Sequence, residues 1–420
     1  MPELRVLDRI TRPMQRLGYL KRLVKRVTTT STSNLENLGH DLLDTVTRKV
    51  RVSLDEHLAT YIKVRLFDNA YATIKQQADA WLKNGGEPPL ISMELQDLYL
   101  ADARIPSGVG KLVRGDWRKY PPLAVSLGLI RAGTYSANTR VLSLLHFTPS
   151  DEQQAFQEYL PETNPLRLKR EQALLLLYAL IENDGEVLAP LWNQLMVQYP
   201  DGFNDRDAGN LLPEIYRVII ARHRTRLLPV EMRDRLLVLE KSADSIAQAR
   251  QSEKYSGGSA REESSRVRIE PFADIGLLCK PDPFKYEYGF CDAGRTWAAA
   301  LASVETSQAI ADFLANRFFT TAAAAWAIPA QPIAAPEEIV PHLQRASKAI
   351  KSPGGYAPIE ELALVAGIEG LLDHGVIIEP EVARKAIIAY QKEHPYEVRF
   401  TVDRMGVLAH ARFVDPNEPA

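Results

Sequence analysis

Glycine and lysine stand together in one short segment that could bind phosphate, IPSGVGKL at residues 105–112. A phosphate-binding loop needs Gly, four residues, then Gly-Lys and a Ser or Thr, because backbone amides hold the phosphate and the hydroxyl holds magnesium. Gly110 and Lys111 fit this pattern, but Ile105 takes the place of the first glycine and Leu112 that of the hydroxyl residue. The segment therefore predicts a glycine-rich turn between helices, and no nucleotide cofactor.

Three carboxylates lie close together in YPDGFNDRDAGN, namely Asp201, Asp205 and Asp207. Clustered carboxylates are what a metal-dependent nuclease needs, and their spacing is also similar to that of a calcium loop. The Asp-x-Asp-x-Asp-Gly order and the closing Glu of such a loop are absent, however. We therefore predict a turn between helices that is rich in Asp and Asn, and no metal site.

The histidines and cysteines do not fall into a pattern that is typical of catalysis or of zinc binding. None of the eight histidines has another three or four positions away, and there is no His-Glu-x-x-His, Cys-x-x-Cys or Gly-x-Ser-x-Gly. The sequence therefore predicts no catalytic residue, no metal and no enzyme. An enzyme whose site is assembled from distant residues stays open as a third interpretation.

Composition indicates an ordinary folded protein of two to four domains. The chain has 420 residues, of which 45% are hydrophobic and 25% charged, and its net charge is −2. The most apolar run, FFTTAAAAWAI at 318–328, is too short to span a bilayer and predicts a buried helix. No signal peptide is evident, and two cysteines suit a reducing cytosol, so we expect a cytoplasmic protein without a membrane partner.

The N-terminal segment, residues 1–28, is basic and amphipathic, with apolar residues at roughly helical spacing. Pro13 and Gly18 interrupt the pattern, which favours a kinked or two-piece helix. A solvated helix docked on the body and an arm that binds phosphate or a partner are both open, and a membrane-surface helix is a minor alternative. As an arm it would use Arg12, Arg16, Lys21, Arg22, Lys25 and Arg26.

Helical patterns dominate the rest of the chain. Residues 150–250 are helical, KYSGGSAREESS at 254–265 reads as a mobile loop, and 266–301 reads as helix, hairpin, helix. A Pro-rich linker at 327–338 then leads to two helices and a hairpin that ends the chain. Cys279 and Cys291 fall near the strands of the first hairpin, where we expect small core residues.

Two segments look alike, LGLIRAGTYSANTRVLSLL at 127–145 and IGLLCKPDPFKYEYGFCDAGRTWAAAL at 275–301. Each has a helix ending in (Leu/Ile)-Gly-Leu, then a loop, an aromatic residue and an apolar helix. This pattern resembles the second half of a winged-helix domain, and Asp292-Ala293-Gly294-Arg295 is similar to the turn that closes the wing. The C-terminal helix-helix-hairpin block is a possible third unit, although it lacks Leu-Gly-Leu.

The resemblance implies a mainly α fold, with helical layers and two or three winged-helix-like units that carry small β-hairpins. The expected regions are a basic helical region, a winged unit, a helical region, a second winged unit and the C-terminal block, at 1–86, 87–149, 150–253, 254–328 and 339–420. It also implies that the helix before each wing enters a major groove, because Arg and Lys there bind phosphate and read bases. The residues so implied before the wings are Arg114, Arg118 and Lys119 in the first unit, Arg261, Arg266 and Arg268 in the second, and Arg384 and Lys385 in the last. The wing residues, Arg131 in the first unit and Lys280 and Lys285 in the second, would contact the DNA backbone.

For each of these cations, a solvated helix face is the plain alternative. The leading hypothesis is a non-catalytic protein that binds double-stranded DNA, as a regulator or as the recognition subunit of a larger DNA-processing or defence assembly, with other protein subunits and a homo-oligomer as further partners. The runner-up is a scaffold whose helical and winged units dock partner proteins. Clustering of positive charge on one face distinguishes the two.

Overall fold

The computed structural model describes much of the second half of the chain and parts of the first. The described residues are 4–7, 17–29, 120–131, 138–149, 168–224, 229–251, 260–281, 286–352, 354–403 and 406–414. The glycine-rich segment at 105–112 lies outside them. Within these ranges the protein is mainly helical, with a few short strands in small sheets, which confirms the mainly α part of the predicted fold.

The N-terminal part of the described structure consists of α1 (Gly18–Thr29), α2 (Tyr120–Ser126) and α3 (Thr139–His146). α2 stops at Gly128, whose φ of 70° is the left-handed conformation that glycine adopts at a helix end. The amide of Leu129 then donates back to the carbonyl of Ala124, and its own carbonyl accepts from the amide of Asn138. The side chain of Asn138 caps α3.

The middle part is built around one long helix that is buried along most of its length. Four successive residues, Leu174 to Leu177, are fully buried, so every side of the helix packs against the protein there. The elements in chain order are α4 (Arg170–Gln198), β1 (Phe203–Asn204), α5 (Asp205–Arg224), α6 (Val230–Gln251), α7 (Ala260–Ile275), β2 (Leu278–Cys279), β3 (Glu287–Phe290) and α8 (Asp292–Leu301).

The strands of the middle part form an antiparallel sheet in the order β1-β3-β2. Phe203 faces Tyr288 across β1 and β3, and Leu278 faces Phe290 across β2 and β3. The predicted hairpin is therefore present, and it has a third strand from a distant part of the chain. Cys279 is exposed, so its prediction as a core residue is wrong, because alternation along β2 turns Leu278 inward and its neighbour outward.

The two segments that look alike in sequence share their local geometry. α7 stops at Gly276, with φ of 87°, as α2 stops at Gly128. The amide of Leu277 donates back to the carbonyl of Phe272, and its carbonyl accepts from the amide of Cys291, which directly precedes α8. Gly294, from the turn that resembles the wing closure, lies in the first turn of α8. A Cβ there would lie 1.9 Å from the Leu277 carbonyl oxygen, so only glycine permits this packing.

Two short helices connect the middle to the C-terminal part, α9 (Ser307–Asn316) and α10 (Phe318–Ala325). Phe318 and Phe319 are fully buried, which confirms the buried helix predicted for the most apolar run. The Pro-rich linker that follows includes β4 (Gln331–Pro332), which pairs in parallel with a later strand, β6 (Val376–Ile377). The linker is thus fixed against the C-terminal part by main-chain hydrogen bonds.

The C-terminal part has a complete small sheet and three further helices. Its remaining elements are α11 (Pro336–Ile350), β5 (Ala357–Pro358), α12 (Ile359–Asp373), α13 (Pro380–Glu393), β7 (Val398–Val402) and β8 (Leu408–Phe413). The sheet order is β5-β8-β7, with Ala357 facing Ala411 and Val398 facing Phe413. α13 begins at Pro380, because the fixed φ of proline and its missing amide hydrogen are tolerated in a first helical turn.

The middle and C-terminal parts have the same order of elements. In each, a helix precedes a two-residue strand, further helices follow, and a hairpin closes the unit with the first strand paired to the last. A glycine with positive φ precedes the short strand in both, Gly202 at 142° and Gly355 at 80°. The two parts differ in two elements: the middle part has an additional helix, α6, between the helices that correspond to α12 and α13, and the C-terminal part has the strand β6 at that position.

Candidate functional site

Several predicted DNA-contacting residues lie where the structure does not describe them. Those outside the described residues are Arg12, Arg16, Arg114, Arg118, Lys119 and Lys285. Others lie on described helices, but their side chains are not described; these are Arg22, Lys25, Arg26 and Arg261.

Lys21 belongs to the buried face of α1. Its side chain is 1% exposed, and its Nζ donates to Gln172 Oε1 at 3.2 Å. Leu17, Leu20 and Val24 lie on the same buried face. α1 therefore packs on the body through its apolar stripe, and this lysine is not on a surface that a duplex can reach.

Arg268 of α7 is buried in an ion pair. Its side chain is 3% exposed, its Nε lies 2.8 Å from Asp184 Oδ2, and its Nη2 donates to the carbonyl of Leu7 at 2.8 Å. Burial alone lowers the pKa of Arg268, but the charge of Asp184 offsets this, so the net pKa is raised and the side chain stays charged. It therefore faces the core of the unit instead of a groove of DNA.

The other described cations predicted for the second unit, Arg266 on α7 and Lys280 after β2, are also paired within the protein. Arg266 Nε donates to Asp205 Oδ2 at 2.6 Å, and its guanidinium lies 3.5 Å from the ring centroid of Tyr286. Lys280 Nζ lies 2.9 Å from Glu270 Oε1, and both side chains are at most 10% exposed. Asp205, from the carboxylate cluster seen in the sequence, thus anchors the helix that was expected to read DNA.

The predicted cations of the C-terminal unit lie at the surface. Side-chain exposure is 41% for Arg384 and 74% for Lys385, and both are near Glu381, at 3.6 and 3.5 Å. Lys392 on the same helix is exposed, as is Arg399 on β7. Arg131, from the first unit, is exposed as well. α13 and the adjacent hairpin thus carry a series of exposed cations, called the α13 stripe below, among which lie the carboxylates of Glu381, Glu393 and Glu397.

An aromatic corner borders this stripe where α13 passes into β7. Tyr396 is 88% exposed. Tyr390 stacks on His394 at 4.3 Å between ring centroids, and its hydroxyl donates to Glu397. That hydrogen bond, with burial as a lesser cause, raises the pKa of Tyr390. The corner thus presents an exposed ring beside the cations.

Two buried charge clusters were not predicted from the sequence. In the first, Asp184 and Glu186 lie in the middle of apolar α4, and Glu186 is 2.9 Å from His223 Nε2. Burial raises the pKa of Glu186, but hydrogen bonds from His223 and the amide of Arg5 lower it more, so the net pKa is below its usual value. The acidic residues Glu182, Asp184 and Glu186, which stand between two apolar stretches of one helix, were the signal that could have revealed this cluster.

The second cluster joins α3, α4 and α12. Arg140 Nε lies 2.8 Å from Glu361 and its Nη1 2.6 Å from Glu182, and Ser143 donates to Glu361 at 3.0 Å. Burial lowers the pKa of Arg140, but the two carboxylates raise it by more, so the net pKa is raised and the guanidinium stays charged. The cluster connects three helices.

Histidines come together between α3, α11 and α12. The His342 and His374 rings are 5.0 Å apart, and His146 Nε2 lies 2.7 Å from Glu369. Among the described residues, no three His, Cys, Asp or Glu side chains are placed to hold a metal ion.

No helix in the described ranges is both long and apolar enough to cross a membrane. A scan against family models finds no match, and searches of curated proteins and of solved structures find no significant match either.

Proposed function

We propose that the chain is a non-catalytic DNA-binding protein and that its C-terminal unit is a winged-helix-like domain that contacts the duplex. The support is the order of the elements from α11 to β8, which is helix, strand, helix, short strand, helix, strand, strand. The first of these strands, β5, pairs with the last, β8, and the short strand β6 between α12 and α13 pairs outside the unit with β4. A helix-turn-helix unit places its second helix in the major groove, which here assigns that role to α13.

The observation that carries the proposal is the contrast between α7 and α13. Arg266 and Arg268 of α7 are paired with buried carboxylates, whereas Arg384 and Lys385 of α13 face solvent. Cations that remain exposed can exchange counterions for phosphates, and this exchange supplies most of the sequence-independent affinity for DNA. In this proposal the C-terminal unit contacts the DNA, and the middle unit has a structural role.

The exposed cations on other elements do not change the assignment of DNA contact to α13, because a duplex that contacts α13 also contacts only the residues beside this helix. Arg399 on β7 extends the α13 stripe onto the hairpin, where a wing touches backbone. Tyr396 lies between the two elements. The chain would act as a regulator or as the recognition subunit of a DNA-processing or defence assembly.

The test is binding of a labelled duplex of roughly 30 base pairs across a salt series. Charge reversal at Arg384, Lys385 and Lys392 removes the stripe, and reversal at Arg217, Arg233 and Lys241, exposed on α5 and α6, changes the net charge equally. We expect the α13 variant to lose at least about tenfold in affinity and to reduce the slope of log affinity against log salt by about 2 to 3. Equal losses in both variants, or no binding by the wild type at low salt, would refute the proposal.

A second candidate function, docking of a partner subunit, is favoured by one observation. Val218, Leu237 and Val238, on α5 and α6, are 46%, 51% and 43% exposed. Exposed apolar side chains on neighbouring helices are typical of a protein interface. Sedimentation of the wild type and of a Leu237→Ser/Val238→Ser variant tests it: self-association that the variant loses supports docking, and identical monomers exclude it for a second copy.

A further inference from the structure

Two arginines are paired across the outer face of the C-terminal sheet. Arg399 of β7 and Arg412 of β8 lie directly opposite each other in the antiparallel register. The residues beside them, Val398 and Ala411, are buried, so both arginines belong to the face that is turned away from the core. Arg399 is exposed and forms no ion pair with a described carboxylate. Like charges that lie opposite each other destabilise a strand pair, so this arrangement does not serve the sheet itself.

The sheet of the middle part shows that the shared strand order does not need these cations. There the position of Arg412 is taken by Gly289, which follows the residue of β3 that pairs with β1. Gly289 pairs with Cys279 of β2, which thus takes the position of Arg399. The arginine pair therefore distinguishes the C-terminal unit from the middle part.

The side chain of Arg412 lies against the turn that precedes β5. The amide of Gly355 in this turn donates to the carbonyl of Ser352 at 2.8 Å, and the φ of Gly355 is 80°. A Cβ on Gly355 would lie 3.0 Å from Arg412 Nε and 3.2 Å from its Cδ, so the glycine makes room for the arginine. A guanidinium whose position is fixed in this way can bind two oxygens of a phosphate group with parallel hydrogen bonds.

Three more cations continue this surface along α11. Arg345, Lys348 and Lys351 recur every three positions and are exposed, whereas the opposite side of the helix is buried. Among the described residues, no carboxylate forms an ion pair with any of the three. The amide of Ser352 then donates to the carbonyl of Tyr356 at 2.9 Å, which joins the end of α11 to the edge of the sheet. α4, the corresponding helix of the middle part, has no basic residue in its last turn.

We propose that these cations form a binding surface for phosphate groups, which are either successive phosphates of a nucleic acid strand or free phosphate. The surface is called the cation row below, and its members are Arg345, Lys348, Lys351, Arg399 and Arg412. A phosphate bound near the two arginines offsets their repulsion, and the lysines bind phosphate as point charges. The row shares Arg399 with the α13 stripe, but phosphate binding by the row does not rest on the proposed DNA binding.

The first experiment measures binding of a labelled duplex of roughly 30 base pairs across a salt series. The row variant is Lys348→Gln/Lys351→Gln/Arg399→Gln, and its matched control is Arg217→Gln/Arg233→Gln/Lys241→Gln, which removes three exposed cations from α5 and α6. We expect the row variant to lose at least about tenfold in affinity. Its slope of log affinity against log salt should be smaller by about 2 to 3, because each phosphate contact contributes about 0.9. The control should stay within about twofold of the wild type.

The second experiment uses pyrophosphate alone and needs no DNA. The melting temperatures of the wild type and of both variants are measured in pyrophosphate and in sodium chloride of the same ionic strength. A ligand that binds only the folded state raises the melting temperature. We expect pyrophosphate to raise it in the wild type and in the control, and to raise it by less than half as much in the row variant.

The outcomes separate the two sources of phosphate. Loss of duplex affinity in the row variant alone supports the proposal with nucleic acid as the source, whether or not pyrophosphate stabilises the wild type. A pyrophosphate effect that only the row variant loses, in a chain that binds no duplex, supports free phosphate as the ligand and refutes the proposed DNA binding. Equal changes in the row variant and its control, or no response of the wild type to either probe, would overturn the inference.

Discussion

Replacement of Arg268 by Met should destabilise the protein strongly. The substitution leaves Asp184, which is 1% exposed, without the cation at 2.8 Å, and it removes the hydrogen bond to the carbonyl of Leu7. Removing one partner of a buried pair costs about 3 to 5 kcal/mol, a large part of the 5 to 15 kcal/mol that stabilises a typical domain. Urea unfolding followed by far-UV circular dichroism gives the change in the free energy of unfolding.

The matched control is Arg384→Met, because Arg384 is 41% exposed and lies 3.6 Å from Glu381. An exposed pair of this kind contributes about 0 to 1 kcal/mol, so the variant should unfold close to the wild type. The double variant Asp184→Leu/Arg268→Met should recover part of the stability that the single variant loses, because no buried charge is left unpaired, although the amide and the carbonyl of Leu7 lose their partners. If Arg268→Met unfolds with the same free energy as Arg384→Met, the buried role assigned to this arginine is refuted.

Three further predictions follow from the structure. Gly294→Ala should lower the free energy of unfolding by about 1 to 3 kcal/mol, because the added Cβ would overlap the Leu277 carbonyl. Gly289→Ala is the control and should change this free energy far less, because no atom lies within 4 Å of the added Cβ. Thermal unfolding of the two variants gives the comparison. Burial, with the nearby charges of Arg345 and His374, lowers the pKa of His342. Because the unfolded chain then binds protons more readily than the folded one, the stability of the protein should fall as the pH drops through about 6.5. The melting temperature of a His342→Gln variant should therefore fall less between about pH 7.5 and about 5.5 than that of the wild type, and an equal fall would contradict this. Exposed Cys279 should react with a thiol reagent in the native protein faster than Cys291, whose Sγ donates to the carbonyl of Gly276. The two single Cys→Ser variants, each of which keeps one of the two cysteines, measure the two rates separately. Equal rates would contradict the position given to the hairpin.

Local signals predicted the elements that local chemistry determines. Gly128 and Gly276 mark helix ends because the left-handed conformation there suits glycine, and Pro380 marks a helix start because its fixed φ suits the first turn. The apolar run from Phe318 predicted a buried helix, because a run of this length without charged residues is stable only when it is packed in the core. Each of these features depends on residues a few positions apart.

Features that depend on distant residues could not be predicted. β1 and β5 are two-residue strands defined by their pairing with strands far along the chain, at Tyr288 and Ala411. Arg268 is buried because it meets Asp184, 84 residues earlier, and a count of cations on a helix does not reveal this partner. The sequence predicted DNA contact for the cations of both α13 and α7, because the residue types are the same and do not show which of them are buried.

The most direct test of the DNA-binding account is amide hydrogen exchange of the full chain with and without a bound duplex. The account predicts that the duplex slows exchange in α13 and in the β7–β8 hairpin, while α7 and α4 exchange at unchanged rates. Slower exchange in α7 with no change in α13 would contradict the assignment of DNA contact to the C-terminal unit.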